Sequence, residues 1–322
     1  MDKIEKKYKL SIILPVYNEE NNIKPLISRL KNILGDLSCN YEIIFSMDPS
    51  TDLTEKMILE QRMEDERIKL LKLSRRFGQP AATIAGIHYC TGDACVVIDA
   101  DLQDPPELIK EMIQKWQEGY DVVYAQRISR KGETLIRRIV SYVGYWVINK
   151  ISVVKIPRNT GDFRLISREV INELKRFNEH DPFLRGIVAY VGFSQFAIPY
   201  DRDARLEGKG KYNRFLGSLR IGLNGVLGFS RYPLHLISLL GLLISSISFL
   251  LGLTYLSLKL LDYHIVWGNP TLVMLISFLS GVQLLSLGII GQYMARIFDE
   301  IKGRPGYIIK ESIGLNKVNE YE

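Results

Sequence analysis

The stretch VVIDADLQDPPE, Val96 to Glu107, ends an apolar run with three carboxylates and two prolines. Asp99, Asp101 and Asp104 all lie within six positions. Like charges at that spacing repel one another unless positive charge lies among them. The stretch therefore predicts a buried strand that leads into a polar site with cationic partners.

Residues 1–230 repeat this organisation, because strand-like and helix-like patterns alternate along them. The strand-like runs are KLSIILPVY, YEIIFSMD, RIKLLKLS, ACVVIDAD and YDVVYAQR, and helix-like runs separate them. Such alternation predicts an α/β fold with a mostly parallel, Rossmann-like sheet that is covered on both faces. Ligands bind beyond the carboxyl ends of the strands in these sheets. Acids or turn residues follow three of the strands: Tyr17-Asn18-Glu19, Met47-Asp48-Pro49 and Asp99-Ala100-Asp101.

The acidic pair after the fourth strand has the spacing of a cation site. Asp99 and Asp101 flank a single residue, so on an extended chain their side chains point to the same side. Two converging oxygen ligands suit Mg²⁺ or Mn²⁺, which one or two carboxylates hold together with substrate phosphates. The alternative interpretation is that these acids cap a helix or a loop.

Several other chemistries lack their sequence signatures. Cys39, Cys90 and Cys95 show no metal-type or paired spacing, which favours small core residues in a reducing compartment. The sequence contains no Cys/His cluster of the kind that binds zinc, which argues against a zinc site. The P-loop pattern G-x-x-x-x-G-K-[ST] is absent, and no G-x-G-x-x-G follows the first strand, which excludes both nucleotide-binding motifs.

Two long uncharged runs follow the α/β region. Asp, Glu, Lys and Arg are absent from Tyr232 to Leu258 and from Ile265 to Ala295. A helix that crosses a bilayer needs about 20 mostly apolar residues, so the runs predict transmembrane helices over 232–258 and 269–295. Two buried core helices are the alternative, although uncharged runs of this length are rare in soluble domains.

The net charge is +6, and positive residues gather beside the predicted spans, where they favour the cytoplasmic side. The flanking residues are Lys209, Lys211, Arg214, Arg220 and Arg231 before the first span, and Arg296, Lys302, Arg304 and Lys310 after the second. We therefore expect a multi-pass inner or plasma membrane protein with both termini cytoplasmic. This distribution, without a recognised nucleic-acid motif, argues against a nucleic-acid partner.

Four separate motifs resemble those of the family 2 glycosyltransferases and occur in the same order along the chain. They are ILPVYNEE, SMDPSTD, DADLQDPPE and NTGDFRLISRE. The resemblance runs from residue 9 to about 215, and is strongest to the branch that makes polyprenyl-phosphate sugars. That branch includes dolichyl-phosphate mannose synthase and the bacterial polyprenyl-phosphate (bactoprenol) glucosyltransferases. The resemblance implies a GT-A fold, a nucleotide-sugar donor, a divalent metal and inversion at the anomeric carbon.

The resemblance also implies roles in donor binding. Residues of the nucleobase and ribose pocket would be Pro15, Tyr17, Glu19 and Asp48. Many relatives read DDGS where this chain reads MDPS, so Met47 and Pro49 depart from the common pattern. The DPSTD variant resembles the glucosyltransferase subgroup, which favours UDP-glucose. Residues near the donor diphosphate would be Asp99, Ala100, Asp101 and Gln103, with Mg²⁺ or Mn²⁺ held by Asp99 and Asp101.

Asp162, in the GDFRL element, lies near the reacting centre by the same resemblance. A phosphate monoester is largely ionised near neutral pH, since its second pKa is roughly 6. It needs little help from a general base, so we expect Asp162 to position the acceptor phosphate. A helix-capping aspartate is the alternative interpretation.

The basic stretch DRDARLEGKGKY resembles the family's R-x-x-R-x-x-G-x-[SG]-K element. Arginine suits bidentate phosphate contacts and lysine acts as a point charge. We expect the donor to bind Arg202 and Lys209, and the acceptor phosphate to bind Arg127, Arg205 and Lys211. The alternatives are a basic surface that faces anionic lipid and, around Arg127, a solvated charge run.

Two amphipathic stretches complete the predicted organisation. Residues 134–151 and 212–231 combine apolar, aromatic and basic residues, which suits helices in the membrane interface. Core or subunit packing is the alternative. The predicted order is a catalytic domain over 1–211, the juxtamembrane helix over 212–231, the two-helix hairpin, and a cytoplasmic tail over 296–322.

The combined prediction is an inverting membrane glycosyltransferase that moves a hexose, glucose by preference, from a UDP-sugar to a polyprenyl phosphate. GDP-mannose or a UDP-N-acetylhexosamine are alternative donors, and assembly as a homo-oligomer is expected. A processive synthase would need more spans and a Q-x-x-R-W element, which is absent. A non-catalytic membrane partner that binds nucleotide sugars is the second rival.

Overall fold

The computed structural model describes residues 8–37, 39–128, 159–177, 182–201, 232–261 and 269–315, together with residues 150, 154, 157, 179 and 230. Its strands are β1 (Lys9–Val16), β2 (Asn40–Met47), β3 (Ile68–Leu73), β4 (Ala94–Val97), β5 (Val122–Arg127), β6 (Thr160–Ser167), β7 (Gln195–Tyr200) and β8 (Ile309–Ile313). Its helices are α1 (Glu20–Gly35), α2 (Thr54–Glu64), α3 (Gln79–Tyr89), α4 (Leu108–Gln117), α5 (Arg168–Leu174), α6 (Leu184–Val191), α7 (Tyr232–Leu260) and α8 (Asn269–Ile301).

The eight strands form one mixed sheet in the order β7-β5-β6-β4-β1-β2-β3-β8. Parallel pairing joins β4, β1, β2 and β3 and also joins β5 to β7. β6 is antiparallel to both β4 and β5, so it brings its amino-terminal end to the edge where the parallel strands end. The predicted α/β fold with a mostly parallel sheet is confirmed.

Apolar side chains cover both faces of the sheet. On one face, Ile23, Leu26, Ile27 and Leu30 of α1 are fully buried against the strands. The helical spacing of these residues in the sequence explains why α1 presents one apolar side to the sheet. Burial of each such side chain contributes roughly 1.5–3 kcal/mol. The other face packs against α3, α5 and α6.

Polar contacts close the amino-terminal edge of the sheet. Glu42 is buried and accepts hydrogen bonds from the Ser11 hydroxyl at 2.6 Å and the Lys69 ammonium at 2.6 Å. The backbone N–H of Thr91 donates to the same carboxylate at 2.8 Å. This buried charge is therefore fully surrounded by protein donors, as a buried carboxylate requires.

The segment after α8 returns to the sheet. β8 pairs antiparallel with β3, and the backbone N–H of Ser74 donates to the carbonyl oxygen of Ile308 at 2.8 Å. The Tyr307 hydroxyl lies 2.9 Å from Nδ1 of the half-buried His88 on α3. The sequence pattern did not reveal this strand, because the polar run IKESI has no clear two-residue alternation.

Helices α7 and α8 are each long and apolar enough to cross a membrane. They extend beyond the spans predicted at 232–258 and 269–295, to Leu260 and Ile301. Nearly all of the predicted helices at 134–151 and 212–231 lies outside the described residues, which include only residues 150 and 230 of them.

Candidate active site

Hydrogen bonds join the loop after β1 to the loop after β2. The backbone N–H of Asn18 donates to Ser50 Oγ at 3.1 Å, and that of Thr51 donates to Asn18 Oδ1 at 2.8 Å. The backbone N–H of Glu19 donates to Thr54 Oγ1 at 2.8 Å. The motifs YNEE and DPSTD, far apart in sequence, therefore form one surface beside the buried Pro15.

Asp48 joins the end of β2 to the loop after β3. Its side chain is buried, and its two carboxylate oxygens accept hydrogen bonds from the backbone N–H groups of Phe77, at 3.0 Å, and Gly78, at 2.9 Å. Gly78 has a φ of +96°, a conformation that favours glycine. Asp48 therefore fixes the loop that leads into α3.

The loop after β3 in turn contacts both the first strand end and the acidic motif. The Arg76 guanidinium lies over the Tyr17 ring, 4.1 Å from its centroid. Gln79, the first residue of α3, donates from Nε2 to Asp99 Oδ1 at 2.7 Å. No sequence motif pointed to Gln79, and it follows β3, whose end was not among the three strand ends of the predicted site.

The acidic pair lies at the carboxyl edge, as predicted. Asp99 and Asp101 are partly exposed and flank the buried Ala100. Asp101 Oδ1 accepts a hydrogen bond from the backbone N–H of Gln103 at 3.2 Å, which shapes the following turn. No cluster of three or more His, Cys, Asp or Glu side chains suited to a metal occurs in the described part of the chain. Two carboxylates fit a cation whose remaining ligands come from substrate phosphates.

The third carboxylate of the opening motif has a different environment. Asp104 is buried and accepts a hydrogen bond from the Tyr200 hydroxyl. Arg127 Nη2 lies 3.8 Å from Asp104 Oδ1, and Arg127 Nε donates to the Tyr200 hydroxyl oxygen at 3.2 Å. Burial, together with the charge of Asp104, raises the pKa of Tyr200 to about 12. Asp104 therefore has the cationic partner that the sequence required.

Asp162 is bound by arginine. Arg185 on α6 donates from Nε to Asp162 Oδ1 at 2.9 Å. Burial raises the pKa of Asp162, but the charges of Arg185, Arg164 and Arg127 outweigh it and lower the pKa below its ordinary value. The ionised form of Asp162 is thus stabilised. Its partner Arg185 was not indicated by any sequence motif.

Arg164 lies two residues after Asp162 on β6. Its side chain is buried and donates from Nη2 to the carbonyl oxygen of Gly161 at 2.9 Å. Burial lowers the pKa of Arg164 to about 10, so the guanidinium still carries its charge at neutral pH. A buried positive charge therefore stands close to the Asp162 carboxylate.

The motif NTGDF packs against Arg127. The backbone N–H of Arg127 donates to the carbonyl oxygen of Asn159 at 3.0 Å. A Cβ at Gly161 would lie 2.9 Å from Arg127 Nη2, so a larger residue would displace the guanidinium. The end of β5 and the start of β6 consequently form one unit.

Backbone strain marks the turns of three motifs. Among the described non-glycine residues, positive φ angles occur at Asn18 (54°), Leu102 (57°) and Asn159 (56°). Asparagine tolerates this region, whereas leucine does so at a cost of order 1–3 kcal/mol. Leu102 follows Asp101 directly, so the strain lies within the acidic turn. Such strain concentrates at functional sites.

The structure arranges the site residues it describes in two adjoining groups. The first, named the donor half after the role that the resemblance implies, consists of the predicted residues Pro15, Tyr17, Glu19, Asp48, Asp99, Ala100, Asp101 and Gln103. The second, named the acceptor half in the same way, consists of the predicted Arg127 and Asp162 together with four residues that were not predicted as site residues, Asp104, Arg164, Arg185 and Tyr200. The predicted basic residues Arg202, Arg205, Lys209 and Lys211 lie outside the described residues.

Comparison with known proteins identifies the family. The sequence profile described as Glycosyl transferase family 2 matches residues 11–175. The chain is 44% identical, over 97% of its length and 96% of the relative, to the uncharacterized glycosyltransferase YkcC of Bacillus subtilis. It is 39% identical, over 94% of its length and 98% of the relative, to the SfII prophage-derived bactoprenol glucosyl transferase of Shigella flexneri.

Among solved structures, the chain resembles glucosyl-3-phosphoglycerate synthase from Mycobacterium tuberculosis, crystallised with Mn²⁺, UDP-glucose and phosphoglyceric acid. The TM-score is 0.45 and the identity 18%, over 68% of this chain and 78% of that one.

The family match and the mixed, mostly parallel sheet define an α/β glycosyltransferase with a GT-A fold. The chain belongs to glycosyl transferase family 2.

The contacts of Asp48 generate a prediction for the donor half. In Asp48→Asn, one acceptor oxygen becomes an NH₂ group, so one of the two loop N–H groups loses its partner. That loss costs about 1–3 kcal/mol, so we expect UDP to bind roughly 10-fold more weakly and residues 74–79 to exchange amide hydrogens faster. Isothermal titration and hydrogen–deuterium exchange measure the two effects.

Asp36→Asn is the matched control, because Asp36 pairs with Lys110 on the surface. Unchanged exchange at residues 74–79 in Asp48→Asn would contradict the positioning role of Asp48.

Proposed function

We propose that this protein transfers a hexose, glucose by preference, from a UDP-sugar to the phosphate of a polyprenyl phosphate, with inversion at the anomeric carbon. One observation carries the proposal: the acidic donor half adjoins a half-buried arginine cluster with excess positive charge. The relatives named as bactoprenol glucosyl transferases support the acceptor and the sugar.

The donor half is suited to a nucleotide diphosphate-sugar. The loop held by Asp48 places the Arg76 guanidinium over the Tyr17 ring, so a positive charge and an aromatic ring stand together at these strand ends. Asp99 and Asp101 would hold Mg²⁺ or Mn²⁺ together with the donor diphosphate. When bound, such a cation stabilises the negative charge that develops on the leaving diphosphate.

The acceptor half carries the charge that an anionic acceptor requires. Its arginines, Arg127, Arg164 and Arg185, stand against the two carboxylates Asp104 and Asp162. Three guanidinium groups against two carboxylates leave one positive charge among these residues. In a partly buried site such a charge attracts a phosphate more strongly than it would in water.

The chemistry needs positioning more than proton transfer. An oxygen of the acceptor phosphate forms a bond to the anomeric carbon while the bond from that carbon to the donor diphosphate breaks. The acceptor oxygen is already ionised near neutral pH. Asp162, whose pKa is lowered by its arginine partners, is a weak base. We therefore assign Asp162 to holding these arginines and orienting the acceptor.

Association with a membrane completes the proposal. α7 and α8 have the length and apolarity of spans. The strands before α7 and the strand after α8 belong to one sheet, so both outer ends of the helix pair lie on the same side of a bilayer that they cross. The flanking Arg and Lys residues favour the cytoplasmic side. Assembly as a homo-oligomer stays a prediction.

The reaction itself is tested with the purified full-length chain in detergent, undecaprenyl phosphate, Mg²⁺ or Mn²⁺, and radiolabelled UDP-, GDP- and dTDP-sugars. We expect butanol-extractable label from UDP-glucose that disappears with a chelator. Asp101→Asn should lower the rate at least about 100-fold, because it weakens cation and diphosphate binding at the reacting end.

Asp36→Asn, a surface change of the same type, should leave that rate unchanged. Lipid-linked label from another donor would correct the sugar. Tight UDP binding without label from any donor would favour a non-catalytic role. Full activity in Asp101→Asn would remove the assigned cation site.

The pH dependence of the rate distinguishes a positioning role of Asp162 from general-base catalysis. If Asp162 only positions groups, Asp162→Asn lowers kcat/KM but keeps the acidic limb near pH 6 that belongs to the acceptor phosphate. A general base would contribute a second limb, which Asn would abolish; because the pKa of Asp162 is lowered, that limb lies at lower pH than the phosphate limb. Rate–pH profiles of both proteins between about pH 3 and 8 measure this, and loss of the second, more acidic limb in Asp162→Asn would establish proton transfer.

The proposed topology is tested with single cysteines in a Cys39→Ser background. A membrane-impermeant maleimide should label Leu261→Cys, at the end of α7, in intact cells. It should label Glu311→Cys, on β8, after permeabilisation only, since both residues are exposed to solvent but lie at opposite ends of the spans. Equal labelling of both in intact cells would refute this topology.

A further inference from the structure

Asp104, Tyr200 and Arg127 form a chain of buried contacts behind the acceptor half. The Tyr200 hydroxyl donates to Asp104 and accepts from Arg127 Nε at 3.2 Å. Asp104 is 1% exposed, Tyr200 is 5% exposed, and the Arg127 side chain is 15% exposed. One hydroxyl group therefore lies between a guanidinium and a carboxylate, with little access for water.

Three separate elements supply these residues. Asp104 comes from the turn after β4, Arg127 ends β5 and Tyr200 ends β7. Arg127 and Tyr200 are direct partners in the parallel β5–β7 register, and the backbone N–H of Ile128 donates to the Tyr200 carbonyl oxygen at 2.9 Å. The missing side chain of Gly161 provides space for the guanidinium. The backbone thus brings the chain of contacts together.

Stability alone does not account for this arrangement. A buried ion pair is often no more stabilising than apolar side chains of similar volume, because both charges lose their water. A hydroxyl between the two charges does supply direction, since it fixes where Nε points and so where the rest of the planar guanidinium faces. Burial and Asp104 raise the Tyr200 pKa to about 12, so the hydroxyl keeps its proton at neutral pH.

We propose that Tyr200 and Asp104 are positioning residues that aim the Arg127 guanidinium at the acceptor phosphate without touching the substrate. This inference rests on the proposed function, in which Arg127 binds that phosphate. It assigns the third acid of DADLQD to the acceptor, whereas the first two serve the donor.

The test measures initial rates of the full-length chain in detergent while undecaprenyl phosphate and UDP-glucose are varied separately. In Tyr200→Phe the guanidinium loses its directing contact, so we expect the KM for undecaprenyl phosphate to rise about 10-fold. The KM for UDP-glucose should stay unchanged. Tyr190→Phe, an exposed tyrosine on α6, is the matched control and should change neither KM.

A double-mutant cycle shows whether Tyr200 acts through Arg127. Arg127→Gln should raise the same KM, and adding Tyr200→Phe to Arg127→Gln should then have little further effect. A full additional loss in the double variant would overturn the inference. An unchanged acceptor KM in Tyr200→Phe, or equal rises in the donor and acceptor KM, would also overturn it.

Asp104→Asn guards against a trivial loss of folding, because asparagine keeps the size of the side chain. Its neutral amide oxygen holds the Tyr200 hydroxyl more weakly than a carboxylate does, so we expect the acceptor KM to rise here too, with a thermal unfolding midpoint close to that of the parent. If Arg127→Gln itself leaves the acceptor KM unchanged, the role of Arg127 is wrong and this inference falls with it. Lipid-linked product from the parent chain would still support the proposed reaction.

Discussion

The buried carboxylate of Asp48 is the interaction on which the donor half depends. The backbone N–H groups of Phe77 and Gly78, after β3, donate to its two oxygens, and these bonds set the entry into α3. Gln79 at that entry reaches Asp99, and Arg76 in the same loop covers Tyr17. One charged side chain thus connects the ends of four strands, β1 to β4, because a carboxylate accepts several hydrogen bonds and these bonds are stronger where water is excluded.

The two edges of the sheet use buried charge for different purposes. At the amino edge, burial raises the pKa of Glu42, but Lys69, Ser11 and Thr91 outweigh that effect and lower it to about 2. Its contribution to folding stability is therefore complete at neutral pH and is lost as the pH falls toward 2. At the carboxyl edge, the acceptor half retains excess positive charge. The first arrangement is complete without a ligand, whereas the second is suited to an anion.

The α/β fold and the strand ends that form the site were predictable, because hydrophobic periodicity and the carboxyl-edge rule both act locally in sequence. The arginine partners of the acids were not. Arg185 reaches Asp162 from α6, and Tyr200 reaches Asp104 across 96 positions. Such contacts depend on strand order, which local patterns leave open. β6 and β7 were also not among the predicted strands, and β8 was missed because its polar run lacks a two-residue alternation.

The return of β8 to the sheet limits how far the site can lie from a membrane. Eight residue steps separate Ile301, the end of α8, from Ile309, the start of β8. A fully extended chain of that length spans at most about 28 Å. β8 pairs with β3, and the loop after β3 carries the amide groups bound by Asp48. Under the proposed membrane placement, the donor half is therefore tied to the bilayer surface by a short covalent link, so a lipid-borne phosphate has only a short distance to travel to reach it.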